Sequence, residues 1–394
     1  MSPPRGFRLP PAGRALGLRE LAALWRDADA PARLRDALRE RLGVADVHLF
    51  RSGREALRVA LCEAARRSGR QEVVLPACTC FSVAAAAVAA GLRVRLVDVT
   101  LCGHIDPAAL AQLPLDRAAA LVVCNLFGFA EPIPVLAAAL RDTGALVVDD
   151  AAQALGAEAA DGKAGARGDV AILSFGRGKP LSALGGGALV YPRAAPQEAA
   201  PAPAPAPAQR LRSLLHALAY DAALSPRVFG WLAAVPALGI GETPFEPGFV
   251  HGGIPGEAAA LACAVLARFD PDRKDRAAEA EHLAARLSAD TRLVPLRPAA
   301  GATGCYPRLA CLAPDAPLRD AAVAALASVG AGVSTMYPSA LGQIAALAPH
   351  LEGPSEMPGA RALASRLLTL PTHGGLRGER LEAALRALSR AGCT

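Results

Sequence analysis

The chain has 394 residues, 53% hydrophobic and only 4% aromatic, which excludes a disordered or fibrous protein and gives two or three domains at roughly 150 residues each. Its formal charge of +6 and pI near 9.0 come from arginines scattered along amphipathic stretches such as LRELAALWRDADAPARLRDALRERL. No basic patch with interleaved aromatics argues for nucleic acid or a membrane surface as partner. Nine cysteines, an odd number, fall mostly in apolar segments, and no second pair completes a zinc site beside Cys78 and Cys80, so a reduced, cytoplasmic protein without a metal centre is expected.

Residues 1–20 are rich in Pro and Arg, lack a secretory h-region, and are predicted to lie extended on the surface before a helix from about Leu18. VHLFRSGREALRVALCEAARR then reads as a strand ending at Leu49 and Phe50, a turn through Ser52, Gly53 and Arg54, and a helix of period near 3.6. A helix start with a glycine in its turn offers free N–H groups and a favourable dipole to an anion; taken alone, an ordinary capped helix is the simpler reading. EVVLPACTCFSVAAAAVAAGLRVRLVDV continues as strand, helix, strand, and AAALVVCNLFGF is another buried strand. EPIPVLAAALRDTG is predicted to be a helix capped by its glycine. Strand and helix alternate through residue 190, the pattern of a doubly wound, mainly parallel sheet.

The most informative stretch is 147–190. ALVVDD ends a strand in Asp149 and Asp150, Gln153 follows, DVAILSFG ends a second strand at Ser174, and Lys179 precedes a triple glycine. Each piece has an ordinary explanation, Asp149 or Asp150 as a helix cap for instance, but the carboxyl ends of strands are where open α/β sheets bind ligands. Pyridoxal phosphate (PLP) suits such a set, needing a lysine, an acid facing its ring nitrogen, and donors around its phosphate. GRGK is not a nucleotide P-loop, because Leu173 and Pro180 stand where that motif needs Gly and Ser or Thr. No GxGxxG supports a nicotinamide cofactor either.

DDAAQALG from Asp149, GDVAILSFGRGK from Gly168 and GGGALV from Gly185 together resemble the DegT/DnrJ/EryC1/StrS family of sugar aminotransferases, without gaps in the spacing. The resemblance implies a fold type I PLP enzyme, a large sheet domain plus a smaller C-terminal α/β domain, assembled as a homodimer. By it Lys179 is the Schiff-base lysine, Asp150 pairs with the pyridinium nitrogen, Gln153 lies near the phenolic oxygen, and Ser174 helps hold the phosphate. Ser52, Gly53 and Arg54 match the family's phosphate turn, with Arg54 where threonine is usual. Thr79 matches the turn whose next residue stacks on the cofactor; Cys80 stands there, and Phe81, one residue later, is the stacking candidate, a core role being the alternative.

Beyond Tyr191 an Ala-Pro-rich insert, about 193–209, should be extended polyproline II. The apolar stretch 228–241 contains Pro236 and is too short for a bilayer helix of about 20 residues, so a dimer-interface or lid segment is expected ahead of a membrane-surface contact, and a span last. EPGFVHGGIPGEAAALACAVLARFD resembles the family's Gly-Tyr-Asn-x-Arg-Met segment, whose Asn reaches the partner subunit's cofactor phosphate. Val250 replaces that Asn and Gly252 the Arg. Arg177, between Ser174 and Lys179, is the candidate to supply the missing phosphate contact, His251 the alternative. Tyr337-Pro338 and LLTLPTH match small-domain motifs, and His373 reads as structural. The chain is thus divided into an N-terminal arm and large PLP domain, 1–245, and a small domain, 246–394. The resemblance implies transfer of an amino group from an amino acid, L-glutamate by analogy, to a keto acceptor, in the family usually a nucleotide-linked keto sugar for polysaccharide or natural-product biosynthesis. Dehydratases on this scaffold replace the lysine, which Lys179 argues against; a non-catalytic PLP-binding regulator is the other alternative.

Overall fold

The computed structural model describes residues 6–26, 29–193, 207–235 and 244–394. Its frame is an eight-stranded sheet whose inner strands are buried, mostly apolar runs. In chain order the first strands and helices are α1 (Leu18–Arg26), α2 (Ala30–Leu42), β1 (Asp46–Phe50), α3 (Gly53–Ser68), β2 (Glu72–Pro76), α4 (Phe81–Ala89), β3 (Arg93–Val97), α5 (Pro107–Ala111), β4 (Ala118–Cys124), α6 (Ile133–Ala138) and β5 (Leu146–Asp150). A small hairpin follows, β6 (Glu158–Ala159) and β7 (Gly162–Lys163), then β8 (Val170–Ser174) and β9 (Gly187–Tyr191). The strand order is β1-β9-β8-β5-β4-β2-β3, and an eighth strand completes the edge beside β3: β12 (Leu351–Glu352), which comes from the C-terminal part of the chain. Only β9 runs against its neighbours β1 and β8.

Alternation along the central strands explains why the sheet is covered on both faces. Val73, Leu75, Ala120 and Val122 enter one apolar cluster with α3 and α4, while Val74, Leu121 and Val123 enter another with Ile133 and Leu136 of α6. A third cluster joins α1 and α2 to β8 and β9 and to α9 (Gly256–Leu266). Before α9 lie α7 (Pro207–Leu224) and α8 (Pro226–Ala233); after it come α10 (Phe269–Asp290), β10 (Val294–Pro295), β11 (Leu309–Leu312), α11 (Ala316–Ser328), α12 (Pro358–Arg366), β13 (Leu367–Leu370) and α13 (Glu379–Arg390). β10, β11 and β13 form an antiparallel sheet whose Leu309 and Leu368 share the first cluster with Leu61 and Val73.

Two expectations change. The N-terminal arm does not lie on the surface: Leu9 is buried, its N–H donates to the Gly330 carbonyl at 2.9 Å, and His373 Nε2 lies 2.9 Å from the Pro10 carbonyl, because a long-range groove exists to receive it. The helix before β5 ends at Ala138 rather than running to Gly144, since Thr143 Oγ1 bonds the Leu140 carbonyl and the Ala145 N–H and so offers the backbone a turn instead. The apolar stretch contains α8, on which Trp231 is exposed; its residues from 236 on, and most of the Ala-Pro insert (194–206), lie outside the described residues. Among the described residues no helix is long and apolar enough to cross a membrane.

Candidate active site

Strand alternation separates the two adjacent carboxylates at the end of β5. Asp149 is fully buried and saturated: Asn125 Nδ2 donates to Oδ1 at 2.6 Å, the N–H groups of Gly165 and Arg167 donate to Oδ2 at 2.8 and 3.2 Å, and the Arg167 guanidinium lies 3.9 Å away. It ties two loops to the end of β5. Asp150, on the opposite face, accepts only the Ala152 N–H at 2.9 Å and a weak Cys124 thiol contact at 3.9 Å. Burial pushes its carboxyl above the usual range, opposed by the Ala152 N–H and by the charge of Lys179.

The phosphate turn is built by close packing of glycines. Ser52 caps α3, its Oγ accepting the Glu55 N–H at 3.1 Å. A Cβ on Gly53 would lie 2.8 Å from Ser174 Cβ and 3.2 Å from Ser174 Oγ, so the helix start and the end of β8 are in contact. From the other side, a Cβ on Gly187 would fall 2.2 Å from Gly53 N, and the Gly186 N–H, at φ +93°, donates to the Arg51 carbonyl at 3.0 Å. Only glycine permits this approach. The result is a helix N-terminus with Ser174 beside it, a set of donors suited to a dianion. The Arg54 side chain turns away from it: its guanidinium lies 4.5 Å over the Phe249 ring and Nη1 donates to the Glu246 carbonyl at 3.2 Å, leaving the backbone N–H as its contribution.

A cavity of about 120 Å³ opens beside this cup, lined among others by Cys80, Phe127, Gln153, Lys179, Arg308 and Tyr337. Gln153 Nε2 donates to the Tyr337 hydroxyl, whereas Gln153 Oε1 is buried without a partner. Burial pushes the Tyr337 phenol well above its usual range, which keeps it a neutral hydroxyl. Arg177 is exposed at the rim, between Gly176 and Gly178. Three residues at this cavity or next to it hold a left-handed backbone without being glycine: Phe127 at φ 59°, Tyr306 at φ 44° and Met336 at φ 53°. Strain of this kind costs about 1–3 kcal/mol per residue and persists where the surroundings impose it.

Two of the residues named from sequence stand elsewhere. Phe81, in the first turn of α4, packs half-buried against the main core, and Cys80, the cap residue before it, lines the cavity. His251 faces Glu55, with Nδ1 2.7 Å from Oε2, so its ring is engaged by a carboxylate. Gln153 and Lys179 line one cavity, with Asp150 near enough for the Lys179 charge to lower its carboxyl; Ser52, Gly53 and Ser174 meet at the helix end. Reasoning on sequence did not single out Phe127 or Arg308. For Arg308 no signal existed, since an arginine just ahead of the apolar run LACL looks like any strand-end cation.

The cavity amide of Gln153, the uncommitted Asp150 and the glycine-built cup fit PLP. The sheet, with its site at the carboxyl ends of β5 and β8, defines a fold type I α/β protein. The overall likeness extends to a putative sugar aminotransferase, Spr1654, from Streptococcus pneumoniae, with a TM-score of 0.76 at 16% identity over 98% of both chains. A 3-amino-5-hydroxybenzoic acid synthase gives a TM-score of 0.73 at 22% identity over 98% of this chain and 99% of that one. The chain belongs to the DegT/DnrJ/EryC1/StrS aminotransferase family, whose sequence profile matches residues 24–200 and 254–389. Curated relatives include 3-amino-5-hydroxybenzoate synthase of Amycolatopsis mediterranei, 32% identical over 38% of this chain and 39% of the relative. Others are the L-glutamine:2-deoxy-scyllo-inosose aminotransferase of Micromonospora echinospora, 34% identical over 36% of this chain and 34% of the relative, and a pleiotropic regulatory protein of Geobacillus stearothermophilus, 31% identical over 35% and 37%. These matches span only a little over a third of each relative's length.

Proposed function

We propose that this chain is a PLP-dependent aminotransferase that moves an amino group from an amino acid, L-glutamate, to a keto acceptor, a nucleotide-linked keto sugar, acting in the cytoplasm as a homodimer. The observation that carries the reading is the cavity lined by Lys179 and Gln153, with Asp150 near it, beside a glycine-built helix N-terminus. PLP, when bound, supplies an electron sink for the negative charge left when the substrate carbon loses its proton. Asp150 would hold a proton at the ring nitrogen, since a carboxylate at contact favours the cationic form, and that contact in turn would keep Asp150 ionised. Gln153 would donate the second N–H of its Nε2 amide, the first being on Tyr337, to the phenolic oxygen. The first N–H groups of α3, with Ser52 and Ser174, would bind the phosphate, and Arg177 would add a guanidinium from the rim.

Lys179 would hold the cofactor, and its Nζ would take and return the proton of the substrate carbon. Phe127, Met336 and Tyr337 wall the cavity and exclude water. A PLP-binding regulator without turnover is the second reading, favoured by the name of the Geobacillus relative. The absorption spectrum of the protein with PLP, before and after L-glutamate, separates the two, with Lys179→Ala as control. A visible band that needs Lys179 and is lost to the amine form with glutamate is expected. A band that ignores glutamate and every other amino donor would replace transamination by the second reading, and the absence of any band would overturn PLP as cofactor.

A further inference from the structure

Arg308 lines the cavity half-buried, and among the described residues the fold leaves its charge without a partner. Among the described residues no carboxylate, carbonyl or hydroxyl is hydrogen-bonded to its guanidinium, and none of the side chains lining its cavity is an acid. The contrast with other arginines is sharp: Arg167 has Asp149 and Asp161, Arg95 has Glu72, and Arg58 has Glu55. Burial pushes the Arg308 pKa down, while part of the side chain stays open to the cavity. Leaving a guanidinium without a counter-charge in such surroundings is costly, and proteins keep such a group where a ligand neutralises it.

The chain around it is built to hold it there. Tyr306, two residues earlier, has φ 44°, and its carbonyl accepts from Thr372 Oγ1 at 2.7 Å. Gly128, at φ +84°, lies so close that a Cβ on it would fall 2.6 Å from Pro307 Cδ and 2.8 Å from Tyr306 N. A strained segment clasped from two sides therefore presents Arg308 beside Gln153, Tyr337 and Lys179.

We propose that Arg308 forms a carboxylate-binding subsite that orients one of the two substrates over Lys179. The proposal rests on the transaminase reading and names the chemistry of one substrate group. Carboxylate fits best: the planar fork of a guanidinium meets both its oxygens, and the donors suited to a phosphate dianion are grouped at the start of α3. The carboxylate belongs either to the amino donor or to the keto acceptor.

Glutarate, which has two carboxylates and neither an amine to give nor a ketone to accept one, is the probe, titrated into the intact protein with and without PLP. Binding that raises the melting temperature is expected. Arg308→Gln should weaken it about 10- to 100-fold, the loss expected for charge-assisted hydrogen bonds, while Arg308→Lys falls between. PLP affinity should not change, and the ligand-free Arg308→Gln protein should melt higher than the wild type, because an unanswered buried charge is gone. The half-reaction with L-glutamate assigns the source. A raised saturation constant in Arg308→Gln marks the donor's carboxylate; an unchanged constant together with weakened glutarate marks the acceptor's. Equal glutarate affinity in wild type and Arg308→Gln, or a variant whose only change is lower stability, would overturn the subsite. The titration without PLP reads Arg308 even if no Lys179-dependent band forms, so the two proposals fail separately.

Discussion

Asp149 and Asp150 are neighbours in sequence with opposite duties. Asp149 is consumed by the fold, and removing it as Asp149→Ala leaves the Asn125 amide and two loop N–H groups without their buried acceptor and Arg167 with Asp161 alone, a loss of about 3 kcal/mol or more by chemical denaturation. Asp150→Asn should behave in the reverse way in PLP-free protein. Its carboxyl is raised by burial above the ordinary value of 3.8, so the fold disfavours the ionised form and wild-type stability falls as pH rises through that raised value. The asparagine variant carries no such penalty. It should therefore melt above the wild type at neutral pH, and the gap should close as pH falls toward 4. A gap independent of pH would show that charge at position 150 is not the cause. With PLP present the order should invert, since the ring nitrogen would then answer the charge.

At the scale of elements, the phosphate cup depends on how closely α3, β8 and β9 approach. The triple glycine divides its duties: nothing lies within 4 Å of a Cβ on Gly185, whereas one on Gly187 would collide with the backbone of Gly53 at 2.2 Å. Gly187→Ala should cost about 1–3 kcal/mol and weaken PLP retention, because helix and strand must separate. Gly185→Ala should leave both unchanged. Equal effects in the two variants, measured by denaturation and PLP titration, would mean that the packing of α3 on β9 does not shape the cup. The elements themselves follow local rules: β2 and β4 are continuous apolar runs buried on both faces, and α3 opens on a Ser cap worth ~1 kcal/mol.

Across the whole molecule, one apolar cluster runs from the large sheet through α3 and α4 into the C-terminal β11 and β13, and β12 crosses to pair with β3. The N-terminal arm is held against this C-terminal part through Leu9. Because the two ends of the chain share a core, calorimetry should give one transition rather than separate ones for residues 1–245 and 246–394. Leu9→Ala should lower that single transition, at a cost of about 2–4 kcal/mol for a buried leucine. Two resolved transitions would show that the shared cluster does not couple the parts.

What the sequence determined by itself is what short-range chemistry can specify. Uninterrupted apolar runs between turn signals require buried strands, glycines at 53 and 185–187 mark where backbones approach, and Asp150, Gln153, Ser174 and Lys179 fall at strand ends in a spacing that a sheet converts into one site. The tertiary structure alone decided whatever depends on partners far along the chain. The burial of Leu9 needs a groove formed near Gly330, and the pairing of His251 needs Glu55. The choice of Cys80 over Phe81 depends on where α4 starts. Arg308 shows the limit most clearly: its identity is plain in the sequence, but the absence of a counter-charge is a property of its surroundings, and no local pattern records what does not come near.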